Sequence, residues 1–564
     1  MDCQKEIALL LTGPTGLSVE ELLDVIELPP DPGMGDYAFP CFRLAKALRK
    51  APPAIAAELA DSLAKPAFLD EIRATGPYLN FFVNKMQYME RIMQTVYAQG
   101  GAYGQSDIGG GKTIVIDYSS PNIAKNFHIG HLRTTVIGNA LYNIFNTIGY
   151  QSYGINYLGD WGTQFGKLIV AYRRWSSREA VEAGGIDELN RIYVKFHDEA
   201  DLDPALNDEA RLWLVKMQNQ EEEAISIWKW FCDISLVEFN KIYDRLKVSF
   251  DSWKGESFYN DKMDAVVDEL KTKELLVESD GAMIVDLEDY KMPPCLILRR
   301  DGGTLYPTRD IAAAFYRKKT YDFAKCLYVT ALDQNLHFAQ WFKVIELMGY
   351  PWAKDLVHIP YGLVSMEEGS MSTRSGRVVL MINLLDEAVS RARRIIEDKN
   401  PGLENKDEVA EQVGIGAVIF HDLYNGRIKD VVFSWDQMLN FEGETGPYVQ
   451  YTHARANSVL LKAGETDFAG IDFNHLTDEA SFAVARLLDR YPGKIQEAAV
   501  KYEPYIVSRH LIDIAQAFNK FYHDNSILNA PPEVMKARLL LTHSVRAVLR
   551  SGLGLLGIAA PDKM

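Results

Sequence analysis

The stretch that decides the fold is IVIDYSSPNIAKNFHIGHLRTTVIGNAL, residues 114–141. It opens with β-branched apolar residues, continues through the polar turn 119–122 and passes into a helical pattern near His128. This order predicts a strand, a loop and a helix. In an open α/β sheet such a junction binds ligands, and the free N–H groups of the helix N-terminus favour an anion. His128, Gly130 and His131 therefore indicate a site for the phosphates of a nucleotide.

A pair of histidines three residues apart has other interpretations. His128 and His131 could bind zinc, but no Cys or Glu follows at ligand spacing. They could also be two surface histidines without a role. Their position after a Ser-Ser-Pro-Asn turn, with Lys125 within reach of the same anion, favours the phosphate site.

The same motifs resemble a known family. HIGH, residues 128–131, resembles the signature of class I aminoacyl-tRNA synthetases. SSPNIAKNFHIGHLR at 119–133, followed by NYLGDWGTQFGKL at 156–168, is similar to the arginyl-tRNA synthetase family in particular. The resemblance implies an α/β fold in three parts. These are a Rossmann-like parallel-sheet catalytic domain with a helical insertion, an N-terminal α+β domain, and a C-terminal all-α bundle that binds the anticodon.

Length and composition are compatible with this fold. A chain of 564 residues that is 47% hydrophobic predicts three or four folded domains. No apolar run reaches the length of a membrane span, and the acidic start lacks a signal-peptide pattern, so we expect a cytoplasmic protein. The cysteines are scattered without CxxC spacing, which indicates reduced thiols and no protein-bound structural metal. Their positions are Cys3, Cys41, Cys232, Cys295 and Cys326.

The net charge limits the kinds of partner. A formal charge of −17 argues against a protein that coats nucleic acid non-specifically. It does not exclude a tRNA enzyme, because local basic patches can bind phosphates on an acidic body. The acidity is concentrated around residues 178–288, which predicts a solvated insertion.

The N-terminal part, residues 1–107, is predicted to be a small α+β module. Helices are expected over 20–28, 38–48 and 54–64, and a strand over 77–83. GDYA at 35–38 and GPYLNF at 76–81 resemble the additional N-terminal domain of the arginyl family, which contacts the elbow of tRNA. Tyr78 and Asn80 are expected to hold an unstacked base there, although Tyr78 could equally pack in the core.

Residues 108–444 are predicted to form the catalytic domain. Strands are expected over 113–116, 152–156, 296–299, 326–331 and 356–364. The first two strands and the helix between them imply a right-handed crossover and a parallel sheet. A charged helical stretch over about 173–291 resembles the insertion that splits class I catalytic folds. Four tryptophans of this stretch are predicted to be core residues: Trp213, Trp228, Trp230 and Trp253.

The expected substrate determines which side chains are needed. A guanidinium group presents a planar fork of donors, which carboxylates bind better than an apolar slot does. Asp117 and Asp310 offer carboxylates and Tyr306 a hydroxyl group, all expected at strand ends of one sheet. Asp310 alone could also be a helix cap. The resemblance implies eight arginine contacts: Asp117, Ser120, Pro121, Asn122, His131, Tyr306, Asp310 and Gln334. Asp117 is one methylene shorter than the Glu that many members carry.

GSMSTRSGR at 369–377 resembles the KMSKS loop of class I synthetases. Ser370 replaces a first lysine and Ser375 a frequent second one. Hydroxyl groups and cations suit the stabilisation of departing pyrophosphate, and we expect Lys125 to share this role with Arg374 and Arg377. The resemblance implies the catalytic residues His128, His131, Lys125, Ser372 and Arg374. It implies the ATP-binding residues Gly130, His128, His131, Gly362, Val364, Met371 and Ser372.

The C-terminal part, residues 445–564, is predicted to be all-helical. Amphipathic helices are expected over 479–490, 504–522 and 532–549. A bundle for oligomerisation would show the same pattern. From TGPYVQYTHAR at 445–455 to GLLGIAAPDKM at 554–564, it resembles the anticodon-binding bundle of the arginyl family. Tyr448, Tyr451 and Met564 are the expected stacking groups.

The implied function is that of an arginine–tRNA ligase, with tRNA(Arg), L-arginine and ATP as substrates. Mg²⁺ is expected with ATP, because it neutralises the triphosphate. We expect a monomer and no membrane partner. An editing domain is not needed, because a polar pocket rejects ligands that lack the guanidinium. Two alternatives remain: a nucleotidyltransferase that adenylates a small acid without tRNA, and an inactive paralogue that serves as an RNA-binding or scaffold protein.

Overall fold

The computed structural model describes residues 3–29, 31–366 and 379–564. The chain forms two compact units, each built from segments that are distant in sequence. Unit 1 comprises Met1–Tyr103, Ala456–Tyr491 and Asp513–Val548. Unit 2 comprises Gly104–Arg455, Pro492–Ile512 and Leu549–Met564. The predicted domain boundaries near residues 107 and 444 stay a prediction.

Strands and helices are numbered here in chain order over the described residues. The strands are β1 Tyr37–Pro40, β2 Leu69–Thr75, β3 Tyr78–Val83, β4 Thr113–Asp117, β5 Gln151–Ile155, β6 Val277–Ser279, β7 Ala282–Val285, β8 Cys295–Leu298, β9 Lys325–Ala331, β10 Leu356–Tyr361, β11 Val364–Met366 and β12 Val431–Phe433. The helices are α1 Cys3–Thr15, α2 Val19–Leu23, α3 Phe42–Leu48, α4 Pro52–Ser62, α5 Lys85–Gln99, α6 Leu132–Thr147, α7 Thr163–Trp175, α8 Arg178–Leu202, α9 Ala205–Gln218, α10 Glu222–Leu246, α11 Met263–Thr272, α12 Tyr306–Tyr321, α13 Asn335–Leu347, α14 Met381–Lys399, α15 Lys406–Leu423, α16 Trp435–Met438, α17 Gly446–Ala463, α18 Glu479–Lys501, α19 Tyr505–Asp524 and α20 Pro532–Leu555.

A four-stranded parallel sheet organises unit 2, in the order β10-β9-β4-β5. β4 is an apolar run with both faces covered, as expected of a central parallel strand. From β4 the chain moves outward through α6 to β5, and from β9 it moves to the opposite side through α13 to β10. The order of the strands therefore reverses between β4 and β9. This reversal opens a crevice beyond their carboxyl ends, where ligands of open α/β sheets bind.

The helix that follows β4 is buried along most of its length. Twelve of the sixteen residues of α6 are buried, so this helix lies inside unit 2. Gly138 lets α6 lie against the turn after β4, because a Cβ atom there would come within 2.2 Å of the Tyr118 ring. Arg133, in the first turn of α6, is fully buried and pairs with buried Asp422 of α15 at 3.1 Å. Its guanidinium also donates to the carbonyl groups of Gly362 and Lys429.

The insertion differs in part from its predicted form. Residues 178–246 are helical as expected, but β6 and β7 replace the helix predicted up to residue 291. These strands form an antiparallel sheet with β8. The prediction that Tyr306 follows a strand of the parallel sheet was therefore wrong. All four tryptophans of the insertion were predicted to be core residues. Trp213 is buried as predicted, whereas Trp228, Trp230 and Trp253 are only half-buried.

The N-terminal module of unit 1 has a three-stranded antiparallel sheet in the order β1-β3-β2. The helix predicted over residues 38–48 begins only at Phe42, because residues 37–40 pair with β3. The helix predicted over 20–28 ends at Leu23. Tertiary strand pairing overrode local helix propensity in the first case.

The C-terminal helices are longer than predicted. α18 and α20 extend to Lys501 and Leu555, and α17 precedes them. The strand predicted over 356–364 is divided into β10 and β11, and β11 pairs with β12 instead of the parallel sheet. In the described part of the chain, no helix is both long and apolar enough to span a membrane.

Replacing Arg133 with Met tests the importance of the buried ion pair. We expect a loss of about 3–5 kcal/mol in the free energy of unfolding, because Asp422 would stay buried without its cation. The loss is measured by urea denaturation followed by circular dichroism. Arg393→Met is the matched control, since Arg393 pairs with Asp407 at an exposed position, where a pair contributes less than about 1 kcal/mol. Equal losses in the two variants would show that the buried Arg133–Asp422 pair contributes no more to stability than an exposed pair.

Candidate active site

A cavity of about 500 Å³ lies at the crevice between β4 and β9. Residues that follow both strands and residues of α12 line it. It brings together seven of the predicted arginine contacts: Asp117, Ser120, Asn122, His131, Tyr306, Asp310 and Gln334. Pro121 is not in the lining, but its carbonyl accepts a hydrogen bond from Gly159 that shapes the turn.

The turn after β4 has an unusual backbone. Ser119 and Ser120 adopt φ angles of 69° and 49°, a conformation that non-glycine residues rarely take. Side-chain bonds hold it in place: Ser120 Oγ donates to Asp117 Oδ1 at 2.9 Å, and Ser119 Oγ lies 2.7 Å from Tyr243 Oη. Strain of this kind persists where the surroundings enforce it, often at ligand sites.

Asp117 lies at the wall of the cavity and already has a cationic partner. Its Oδ2 accepts a hydrogen bond from Arg317 Nη2 at 2.7 Å, and both side chains are almost fully buried. Burial raises the pKa of Asp117, while Arg317 acts in the opposite direction. The Arg317 guanidinium lies over the rings of Tyr157 and Tyr328 at 5.2 and 5.3 Å. Asp117 thus anchors a resident guanidinium beside the expected substrate site.

Asp310 has a different partner. Its Oδ2 lies 2.6 Å from Nε2 of His337 in the first turn of α13. Tyr306, one turn earlier on α12, is 66% exposed and Gln334 is also exposed, so both can contact a ligand. The interpretation of Asp310 as a mere helix cap does not fit, because it lies inside α12 and lines the cavity.

Several cavity residues were not predicted from the sequence. Glu256 pairs with Arg309 at 3.0 Å, and burial raises the pKa of Glu256 to about 7. Arg317 and His337 complete the set of charged partners. Their sequence signal was weak, because each looks like an ordinary surface residue of an amphipathic helix.

The two histidines of the HIGH motif form a compact pair at the start of α6. Gly130 N donates to His128 Nδ1 at 3.1 Å, and His128 N donates to His131 Nδ1 at 3.2 Å. Since both Nδ1 atoms accept, each neutral ring carries its proton on Nε2 and can donate it to a ligand. Gly130 is required here, because a Cβ atom would lie 2.8 Å from the His128 ring.

Burial keeps these rings uncharged. It lowers the pKa of His131 to about 3, with a further contribution from His128. Burial also lowers the pKa of His128, and Lys125 adds to this effect. Only His131 belongs to the cavity lining, and Lys125 is exposed.

The predicted adenine and pyrophosphate contacts are only partly described. Gly362 lies between β10 and β11, and its carbonyl accepts a hydrogen bond from Arg133, whereas Val364 is the first residue of β11. Four other predicted positions, and the departures at Ser370 and Ser375, lie outside the described residues. The four positions are Met371, Ser372, Arg374 and Arg377.

The predicted tRNA contacts have diverse environments. Tyr78 packs edge-to-face against Phe42, which is 55% exposed and was not predicted. Asn80 is 1% exposed, so its amide is inaccessible in this conformation, and both its polar atoms lack a hydrogen-bond partner among the described residues. In unit 2, Tyr451 is 38% exposed and stacks with Arg455.

Two further predicted tRNA contacts also lie in unit 2. Tyr448 is half-buried in the first turn of α17. The Met564 carbonyl accepts a hydrogen bond from Asn400 at 3.1 Å. The main chain of Met564 is therefore held in place.

The His131 imidazole is expected to stay neutral from pH 8 to pH 5. Because its folded pKa of about 3 lies below the ordinary 6.5, the unfolded chain takes up the proton first. Its contribution to stability is thus complete above pH 6.5 and is lost as the pH falls towards 3. Long-range ¹H–¹⁵N spectra of ¹⁵N-histidine protein measure this, with His131→Gln assigning the signal. A His131 signal that titrates between pH 5 and 7 would refute the prediction.

Comparisons with known proteins cover nearly the whole chain. Residues 92–435 match the family described as tRNA synthetases class I (R), catalytic domain. Residues 4–83 match the arginyl tRNA synthetase N terminal domain, and residues 449–564 the DALR anticodon binding domain.

Individual relatives agree with these matches. The chain is 55% identical to the arginine–tRNA ligase of Alkaliphilus metalliredigens, over 100% of this chain and 99% of the relative. It is also 55% identical to that of Clostridioides difficile, over 97% of both chains. Thermus thermophilus arginyl-tRNA synthetase is similar in structure, with a TM-score of 0.83 and 27% identity, over 100% of this chain and 99% of that one. The chain belongs to the arginyl-tRNA synthetase family, the arginine–tRNA ligases of class I.

Proposed function

We propose that this protein attaches L-arginine to tRNA(Arg) in two steps. The carboxylate of arginine attacks the α-phosphate of ATP, which gives arginyl-adenylate and releases pyrophosphate. The arginyl group then passes to the 3′-terminal ribose of tRNA(Arg), and AMP leaves. One observation supports the proposal: a single cavity is lined both by Asp310 and Tyr306 of α12 and by His131 at the start of α6.

The acidic side of the cavity suits the guanidinium of arginine. Asp310 offers a carboxylate, and exposed Tyr306 offers a hydroxyl group and a ring face on the same helix. Asn122 and Gln334, both exposed at the cavity, would bind the α-amino and carboxylate groups. Ser120 and Pro121 would shape this end through the strained turn, and Asp117 would act together with its partner Arg317.

The other side of the cavity suits ATP. The Nε2–H groups of His128 and His131 would donate to phosphate oxygens without charging the rings. Gly130 keeps the backbone close enough for such contacts. Gly362 and Val364 would contact the adenine. None of these groups needs to act as a nucleophile, because positioning and charge stabilisation account for this type of reaction.

Charge neutralisation of the triphosphate has two sources in this proposal. Among the described residues, no group of three or more His, Cys, Asp or Glu side chains is placed to hold a metal ion. ATP would enter as its Mg²⁺ complex, as substrate, because Mg²⁺ neutralises the triphosphate. Lys125 would share the leaving pyrophosphate with Ser372 and Arg374, and Met371 would contact the nucleotide.

The tRNA would contact both ends of the chain. In the N-terminal module, Tyr78 would stack on a base and Asn80 would receive it after a local opening. A buried amide without partners costs about 1–3 kcal/mol, so a base that reached these atoms would recover that cost. At the C-terminal helices, Tyr448, Tyr451 and Met564 would contact the anticodon. The protein would act as a monomer in the cytoplasm.

Arginine-dependent ATP–pyrophosphate exchange tests the function, with and without tRNA(Arg). We expect exchange with arginine and tRNA together, and none with lysine in place of arginine. Exchange without tRNA would preserve the chemistry but show that activation is not coupled to tRNA. Folded protein without exchange under either condition would instead support the inactive paralogue.

Asp310→Asn is expected to raise the KM for arginine at least about tenfold, because a neutral amide replaces a charge-assisted hydrogen-bond acceptor. Aminoacylation kinetics at saturating ATP and tRNA measure the change. Asp322→Asn is the matched control, since Asp322 caps the other end of α12 and is 92% exposed. A normal KM in Asp310→Asn would remove Asp310 from the arginine site.

A further inference from the structure

We propose that His337 is a positioning residue for arginine: it orients Asp310 while neutral, and its protonation weakens the binding of the guanidinium. This inference rests on the proposed function, since it assumes that arginine occupies the cavity. It adds a residue to that site and a pH dependence to substrate selection.

The cavity contains several charged side chains. Three carboxylates line it: Asp117, Glu256 and Asp310. Asp117 pairs with Arg317 at 2.7 Å, and Glu256 pairs with Arg309 at 3.0 Å. These two partners are permanently charged, because arginine does not lose its proton in proteins.

Asp310 differs from the other two carboxylates, because its partner is not permanently charged. Its partner is the His337 imidazole at 2.6 Å, which is charged only when protonated. While His337 is neutral, the Asp310–His337 pair carries a full negative charge. This pair is therefore the part of the cavity that best attracts a substrate cation.

The hydrogen bond between the two groups has a direction. Asp310 as a carboxylate can only accept, so the Nε2–H of His337 donates to Oδ2. Oδ1 and the remaining lone pairs of Oδ2 stay available for guanidinium N–H groups. A neutral imidazole thus holds the carboxylate in one orientation without neutralising it.

Protonation changes the charge of this pair and not its geometry. The doubly protonated ring still donates through Nε2, but the pair becomes electrically neutral. The guanidinium of free arginine stays charged throughout the physiological range. Loss of attraction at low pH would therefore arise from the protein, and it would affect the KM for arginine more than kcat.

Other titratable groups surround the pair and must be separated from it. Asp333 precedes α13 in sequence, and His358 on β10 is electrostatically coupled to both Asp333 and His337. Glu256 from the insertion, Tyr157 after β5 and Cys295 on β8 interact electrostatically with Asp310. Burial raises the pKa of Glu256 to about 7, so this group is the main competing source of pH dependence.

The test measures the KM for arginine and kcat in aminoacylation at pH 6 and pH 8, with ATP and tRNA saturating. In the wild type we expect the KM for arginine to be higher at pH 6 than at pH 8, because the protonated pair has lost its net negative charge, with kcat changing much less. His337→Gln keeps an N–H donor but cannot be protonated. Its KM should lie near the wild-type value at pH 8 and show a much smaller rise at pH 6.

His337→Ala removes the donor and should raise KM about tenfold at pH 8 while kcat changes little. Rescue by Gln but not by Ala separates positioning from a general structural role. Glu256→Gln removes the competing titration and should keep the wild-type pH dependence. His358→Gln is the matched histidine control, because His358 bonds to Thr330 and stacks on Phe338 without contacting Asp310.

Two results would overturn the inference. One is a His337→Gln enzyme whose KM for arginine keeps the full wild-type pH dependence, above all if the Glu256→Gln enzyme loses that dependence. The other is a His337→Ala enzyme with a normal KM at pH 8. Both presuppose a wild-type protein that arginylates tRNA, so they are distinct from a failure of the proposed function, in which the wild type charges no tRNA.

Discussion

Because β4 and β9 pair in parallel while the chain leaves them towards opposite sides, the loops after both strands open into one crevice. The part of the candidate site that follows β4 and β9 depends on this divergence. It places the strained serine turn after β4 beside the end of β9, and it directs the N-terminus of α6 at the same space. A sheet with all its connections on one side would separate these groups.

The cavity is polar, and two of its three carboxylates are paired with arginine side chains. Taking a charge out of water is costly unless a partner compensates it. Buried Asp117 is stabilised by Arg317, and Arg317 in turn by two tyrosine rings. The HIGH histidines avoid the cost in another way, since burial keeps them neutral donors. The site thus has a resident guanidinium and neutral donors, and in the proposed arrangement Asp310 is the carboxylate that attracts the substrate cation.

Local patterns in the sequence predicted the centre of the fold, and distant pairings account for what was missed. The strand, turn and helix at residues 114–141 form as expected, because each depends on its own periodicity and capping. The pattern over 38–48 predicts a helix from its first residue, but Tyr37–Pro40 form a strand, because their pairing with β3 decides the conformation.

In the candidate site, too, the features that were missed are pairings between residues distant in sequence. Arg317 lies 200 residues from Asp117, and no local signal marks it as the partner of that carboxylate. His337 is missed in a similar way, because its role depends on the packing of α13 against α12. The resemblance to a family supplied the predicted arginine contacts, but it did not supply the side chains that pair with them.

Unit 1 is built from segments that are distant in sequence, and this has a consequence for synthesis of the protein. Residues 3–103 are synthesised before the other segments of unit 1, which begin at Ala456, roughly 350 residues later. Tyr88 of α5 then bonds to Asp489, and Tyr103 to the Leu488 carbonyl. At translation rates of about 5–20 residues per second, roughly 20–70 s pass between the synthesis of α5 and the synthesis of the unit 1 segments that contact it. The nascent N-terminal module must stay soluble over that interval, alone or with a chaperone.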